Sequence, residues 1–333
     1  MRRWGLYAGA LIAVLLFGGC GSKKYFEPEK VAGVVKFDGR LPSPIISANR
    51  EGAMLQNGQF ITKEGVQEFK LPKGYTFLND SERYYLAVDE AGALGLFPKS
   101  GGEPKKLQFD FRPLSAQMEG DMLALVLSDN TLLLHHLPSQ KNLFSQKGES
   151  AVAVNALVAA PFFLKDLVLY PTLDGKLVVV DKESYKSIRN IVVNSDPYFN
   201  NVIFLDVLNN RLVAATPKRI ISVSPEVINT YSANIRDVIF VRDRIYLLTT
   251  EGQIVLADQD LNVMRTKKFP FAHFSGALHG KYIYAVETQG YFIAVDVDLL
   301  DSNVYEIPSE IDRPVFAKEN RIYFDDRYFE LSK

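Results

Sequence analysis

His135 and His136 stand side by side, and His273 and His279 lie six residues apart; the chain has no other histidine. Paired imidazoles are what a metal centre or a proton-transfer site would use. Neither spacing suits that chemistry. Adjacent residues of a strand point to opposite faces, and six is not the i, i+4 separation of a helical zinc pair. Asp181, Asp258 and Asp296 are the acidic candidates. Each closes the same short phrase: Gly175-Lys-Leu-Val-Val-Val-Asp181, Gly252-Gln-Ile-Val-Leu-Ala-Asp258 and Gly290-Tyr-Phe-Ile-Ala-Val-Asp296. A carboxylate recurring at one place in a repeat is a turn residue that bonds the backbone just downstream. Asp325-Asp326 reads the same way, and His136 takes the aspartate slot six residues after Asn130. There is no G-x-S-x-G elbow, phosphate-binding loop or G-x-G-x-x-G. The single cysteine, Cys20, excludes an intrachain disulfide and a Cys-rich metal site. No catalytic residue, metal ligand or cofactor is therefore assigned, and the chain is read as not an enzyme.

The elements that carry these residues form a repeat. Short apolar runs alternate with polar turns centred on Gly58, Gly92, Asn130, Gly175, Lys218, Gly252, Gly290 and Asp326. The spacing averages about 38 residues, close to one four-stranded propeller blade. Glycine supplies the positive φ of a tight hairpin, and the β-branched and apolar run after it suits a buried strand. Equally clear strands precede the turns: Leu167-Val-Leu-Tyr170, Arg244-Ile-Tyr-Leu-Leu248, Lys281-Tyr-Ile-Tyr-Ala285 and Arg321-Ile-Tyr-Phe324. Only residues 225–231 do not declare themselves as strand. Eight turns predict an all-β, eight-bladed propeller of four-stranded antiparallel blades, with a seven-bladed ring or an open solenoid as alternatives. The last blade is one strand short. Val31-Ala-Gly-Val-Val-Lys-Phe37 is expected to pair with residues 327–331 and close the ring, removing exposed sheet edges. Residues 31–333 then form a single domain. Of the 333 residues, 47% are hydrophobic and 23% charged, a globular composition. A net charge of −1 offers no footprint for nucleic acid.

Residues 1–19 read as an address. Arg2 and Arg3 precede an uncharged, mostly apolar run from Gly5 to Phe17, then Gly18-Gly19 and Cys20. That order is an export signal, and the run is too short to span a bilayer. Leu16-Phe17-Gly18-Gly19-Cys20 resembles the lipobox of bacterial lipoproteins. The resemblance implies cleavage before Cys20, its acylation, and anchoring in a membrane by more than one acyl chain. Gly21 in place of aspartate implies delivery to the outer membrane. Residues 20–30 are expected to be a lipidated tether.

The glycine-to-aspartate units resemble the repeats of pyrroloquinoline-quinone-type propellers. With an acylated N-terminus, eight blades and no catalytic domain, the chain resembles the BamB family of outer-membrane lipoproteins. Leu143-Phe-Ser-Gln-Lys-Gly-Glu-Ser-Ala151 is similar to a stretch through which that family contacts BamA, the barrel-assembly protein. Gly148, Glu149, Ser150 and Ala151 match directly, Lys147 stands for an arginine, and Phe144 and Gln146 fall on leucines. The resemblance implies a non-catalytic scaffold for outer-membrane barrel assembly, anchored in the outer membrane and facing the periplasm. BamA is its partner, with Phe144 an apolar anchor and Lys147 a charge contact. The family's acidic pair in the following blade has no match here. The family's blade tryptophans are also missing, because Trp4 is the only tryptophan. Phe69, Leu143, Ile188, Tyr231, Met264 and Val304 are expected to take over their packing. With no stacking tryptophan or vicinal cysteine pair, a quinone cofactor is not expected. The alternative is a periplasmic or surface lipoprotein that binds another protein, a peptide or a glycan on the propeller face. A deep channel pocket lined by charges would favour a ligand; a filled channel beside an exposed apolar loop would favour the scaffold.

Overall fold

Each of the eight turn positions closes the hairpin between the second and third strands of a small antiparallel sheet. The computed structural model describes residues 24–331; residues 1–19 and Cys20 lie outside them. Those residues form eight sheets arranged as an eight-bladed β-propeller. Blades one to seven comprise residues 45–66, 76–107, 113–147, 162–192, 204–232, 235–268 and 274–306. Blade eight combines residues 315–330 with Gly39–Arg40. Residues 225–231 lead into, and mostly belong to, the outer strand Ile228–Ser232 of blade five. Gly58, Gly92, Gly175, Gly252 and Gly290 all take positive φ, and Asn130 joins them at +67°.

The two-residue period of the strands builds the core. In Met122–Leu127 of blade three, Leu123, Leu125 and Leu127 pack on Leu86, Leu94 and Leu96 of blade two. The alternate residues Ala124 and Val126 pack the other way, with Val168, Tyr170, Val178 and Val180 of blade four. A strand buried on both faces must read as continuously apolar, as these middle strands do. The inner strands approach one another around the bore. In blades one, two, three, six and seven they carry a register shift near their second residue. Several carbonyls along these inner strands are capped from the neighbouring blade. Asn49 Nδ2 donates to the oxygens of Phe77 and Leu78, and Arg236 donates to those of Phe274 and Ser275.

The chain start closes the ring, but with different residues from those expected. Gly39 and Arg40 pair antiparallel with Tyr328 and Arg327. The Val31–Phe37 stretch instead reaches blade seven, where Gly33 and Val34 pair in parallel with Tyr305 and Glu306. A two-residue strand suffices because aromatic packing backs it: Phe37 stacks on Phe329 with centroids 4.5 Å apart. Upstream, residues 24–32 lie in contact with blades six and seven, with Phe26 only 4% exposed in their shared core. The replacement of blade tryptophans is also uneven. Val304 is buried and Phe69 meets the rings of Phe60, Tyr85 and Phe97. Ile188 and Met264, on outer strands with no further neighbour, face solvent.

The repeat aspartates do the work of turns. Asp181 accepts from the amide and hydroxyl of Ser184, Asp258 from the amides of Asp260 and Asn262, and Asp296 from the amides of Asp298 and Asp301. The Ser184 hydrogen bonds hold the Asp181 carboxyl below its ordinary value. At Asp258 and Asp296 burial pushes upward, but the hydrogen bonds they accept prevail and lower both. A depressed carboxyl stabilises the fold above its unfolded value, near 3.8, and that contribution is lost as pH falls through the folded one. The melting temperature is therefore expected to drop on acidification below about pH 4. The triple Asp→Asn variant is expected to show a shallower acid slope in calorimetry.

Candidate binding face

Two long connections, residues 148–161 between blades three and four and 193–203 between blades four and five, share the loop face of the propeller. They are tied together through their backbones. Phe199 N–H donates to Ala153 O at 2.9 Å, and Ala159 N–H to Val202 O at 3.0 Å. Asn201, fully buried, accepts from Asn155 N–H at 2.6 Å and donates to Leu157 O at 2.9 Å. Asn200 donates to Asp174 O and Asn194 O. Buried amides satisfied on both ends rigidify a loop, because leaving any one unpaired is costly.

On this base stands an apolar crest. Val152 is 75% exposed, Tyr198 58% and Phe199 53%. Phe199 takes a φ of +49°, uncommon for a bulky residue, and the bond to Ala153 holds it there. The crest was missed in the sequence because it belongs to no strand or repeat. Its one signal was two aromatic residues inside the turn-rich run Ser195-Asp-Pro-Tyr-Phe-Asn-Asn201.

The first of the two connections also narrows the bore. Leu157 packs into the core shared by blades five and six. Arg50 crosses from blade one to Asp237 of blade six, with both terminal nitrogens 3.1 Å from Oδ1, and lies over the Phe204 ring of blade five. What remains is a cavity of about 310 Å³ lined by Arg50, Asn155, Arg236, Asp237 and Phe316. The bore is only partly filled and charges line what remains, as expected for a ligand site, while the exposed apolar loop beside it is the feature expected of a scaffold.

The segment expected to meet a partner lies at the edge of this face. Phe144 is 7% exposed and packs 5.7 Å from the Tyr170 ring, inside the core between blades three and four. Its ring does not face outward as an anchor, because its strand turns that side toward blade four. Gln146 and Gly148 are half-buried. Lys147 is exposed, 3.4 Å from Asp129 and over the ring of Phe111. Glu149 and Ser150 are exposed, and Glu149 pairs with Lys176 at 2.6 Å. A visitor meets Lys147, Glu149 and Ser150.

Asn130 fixes that edge. Its side chain donates to Glu149 O at 2.8 Å and to Asp174 Oδ1 at 2.6 Å, and accepts from Leu173 N–H at 2.8 Å. Burial pushes the Asp174 carboxyl up, but hydrogen bonds from Lys176, Thr172 and Asn130 outweigh it and hold the group low. Asn130→Ala removes three hydrogen bonds, one buried and two partly buried, and puts alanine in a left-handed conformation. A loss of about 2–3 kcal/mol is expected from the shift in denaturant midpoint.

The other candidates are structural. His135 is buried and bonds Asn142, while His136 points away to Ser139. Glu287, fully buried, accepts from the amides of His273 and Gln289, as Thr172 and Thr249 cap the equivalent hairpins through Lys176 N–H and Gln253 N–H. Burial raises its carboxyl. Among the described residues no three His, Cys, Asp or Glu side chains converge as metal ligands.

Fold and face together define a β-propeller with a narrowed bore and a rigid aromatic crest on one side. The crystal structure of BamB from Moraxella catarrhalis superposes with a TM-score of 0.68 at 13% identity, covering 89% of this chain and 99% of that one. The C-terminal WD40 domain of Sif2 gives 0.66 at 12% identity, over 91% and 100%. At such identities the likeness is one of fold. No family model matches the sequence. The plasminogen-binding protein PgbB of Helicobacter pylori, in strains J99 and 26695, is 33% identical over 380 and 379 residues, covering 97% of this chain and 70% of each relative. The chain belongs to the PgbB family.

Proposed function

We propose that this chain is a non-catalytic, lipid-anchored propeller of the bacterial envelope that binds a protein partner through the loop face over blades three to five. The crest of Val152, Tyr198 and Phe199 carries the reading. Aromatic side chains on a backbone already ordered are efficient anchors, since little freedom is lost when they are covered. The first partner to test is plasminogen, because the relatives that match 97% of this chain are named for binding it. The second reading is BamA, which rests on the resemblance of residues 143–151; Lys147, Glu149 and Ser150 border the same face. The anchor is acylated Cys20, in the outer membrane.

The two partners require opposite orientations. Plasminogen binding needs the propeller outside the cell, and BamA binding needs it in the periplasm. Titration of the purified protein against plasminogen, and separately against the periplasmic domains of BamA, should show saturable binding to the first. Protease added to intact cells should then cleave the propeller. Saturation with BamA alone, with full protection in intact cells, moves the assignment to the second reading. Saturation with neither removes both.

A further inference from the structure

The segment leading from the expected anchor is not a free tether. Phe26 is buried between blades six and seven, edge-on to the rings of Phe269 and Tyr291 at 6.2 and 5.5 Å. Ala32 N–H donates to Val304 O at 2.7 Å and Val35 N–H to Glu306 O at 2.8 Å. The chain is therefore held to the rim of blades six and seven from Phe26 onward. Four peptide units separate Cys20 from Lys24, and a fully extended chain of that length reaches at most about 14 Å. If Cys20 carries lipid, the rim cannot leave the bilayer surface.

That rim suits such a surface. Lys24, Lys30, Lys267 and Lys268 line an open groove of about 1060 Å³, against only Glu27 and Glu29 of opposite sign. Beyond the groove, Arg265, exposed on the same outer strand of blade six, adds a positive charge and Asp301, exposed beside Leu300, a negative one. Between these charges stand exposed apolar side chains: Tyr25, Val31, Phe271 and Leu300. Lys24 Nζ sits 5.4 Å from the Phe271 ring, and Lys267 Nζ donates to Leu300 O at 2.7 Å. Cations interleaved with aromatic and aliphatic tips match the interface of a bilayer, where basic groups meet anionic headgroups and apolar tips enter just below them.

We infer that the rim of blades six and seven docks on an anionic phospholipid surface, so that the propeller stands edge-on to the membrane that holds it. This inference rests on the lipoprotein reading. It fixes an orientation: the propeller axis lies along the membrane plane, which leaves the loop face open to a partner.

The test uses tryptophan, which the chain past Trp4 lacks. Phe271→Trp and, between blades two and three, Phe111→Trp replace exposed rings and provide a single reporter each. The acylated proteins are reconstituted into phosphatidylglycerol–phosphatidylethanolamine vesicles containing brominated lipid. Emission from Phe271→Trp is expected to shift to the blue and be quenched, while that from Phe111→Trp stays unchanged. In phosphatidylcholine vesicles the quenching of Phe271→Trp should fall, and adding Lys24→Glu and Lys268→Glu should lower it further. Protein that floats with the vesicles but shows equal or no quenching at the two sites overturns the docking alone. Protein that does not float overturns the anchor and the docking together.

Discussion

Phe329→Ala is expected to lower stability by about 3–5 kcal/mol, the range for emptying a buried phenylalanine site. Phe329 is the point where three parts of the ring meet. It stacks on Phe37 from the chain start at 4.5 Å, lies tilted against Phe292 of blade seven at 5.4 Å, and sits in the core shared with Ile322 and Phe324 of blade eight. The fourth strand of this sheet is only Gly39–Arg40, flanked by the Asp38 N–H donating to Tyr328 O and the Leu41 N–H donating to Asp326 O. So short a strand is marginal without packing behind it. Losing the Phe329 ring therefore weakens closure as well as the core, and exposes edges of blade eight to pairing between molecules. Denaturant unfolding should show the lower midpoint, and light scattering should show aggregation beginning earlier than in the parent. A shift below about 1 kcal/mol would mean that the ring is held shut elsewhere.

The second large effect concerns the crest. Tyr198→Ser with Phe199→Asn is expected to weaken binding of the partner by about 30-fold or more, the roughly 2 kcal/mol that marks a hot spot. Asparagine is chosen because it accepts a left-handed backbone, so the +49° φ at position 199 is kept while the ring is removed. Both side chains are exposed in the free protein, so the melting temperature should hardly move. Equal loss of binding and of stability would show that the crest supports the loop rather than contacting the partner. Unchanged binding would place the interface elsewhere.

Much of the architecture was legible in the sequence because its signals are local and repeated. A glycine that must take positive φ and a run with alternate residues facing two neighbouring blades leave their mark in every unit. The aspartates after those runs were readable for the same reason. Closure was harder. Both Val31–Phe37 and Gly39–Arg40 are near the chain start, and β-propensity favours the more apolar of the two. The glycine won because Gly39 lies directly against the Tyr328 ring, where a Cβ would collide. Phe144 shows the limit of motif transfer. A match by position carries no information on which side of a strand faces the neighbouring blade, and here that side is core. The crest escaped because it is made by two connections about 45 residues apart that meet through backbone bonds, and neither connection repeats.

Hydrogen exchange of the protein alone and with saturating plasminogen tests the central claim most directly. Binding through the loop face predicts new protection in residues 148–161 and 193–203, with the hairpins on blades one and seven unchanged. Protection confined to other parts of the propeller, or none at plasminogen concentrations that saturate a control receptor, would contradict it.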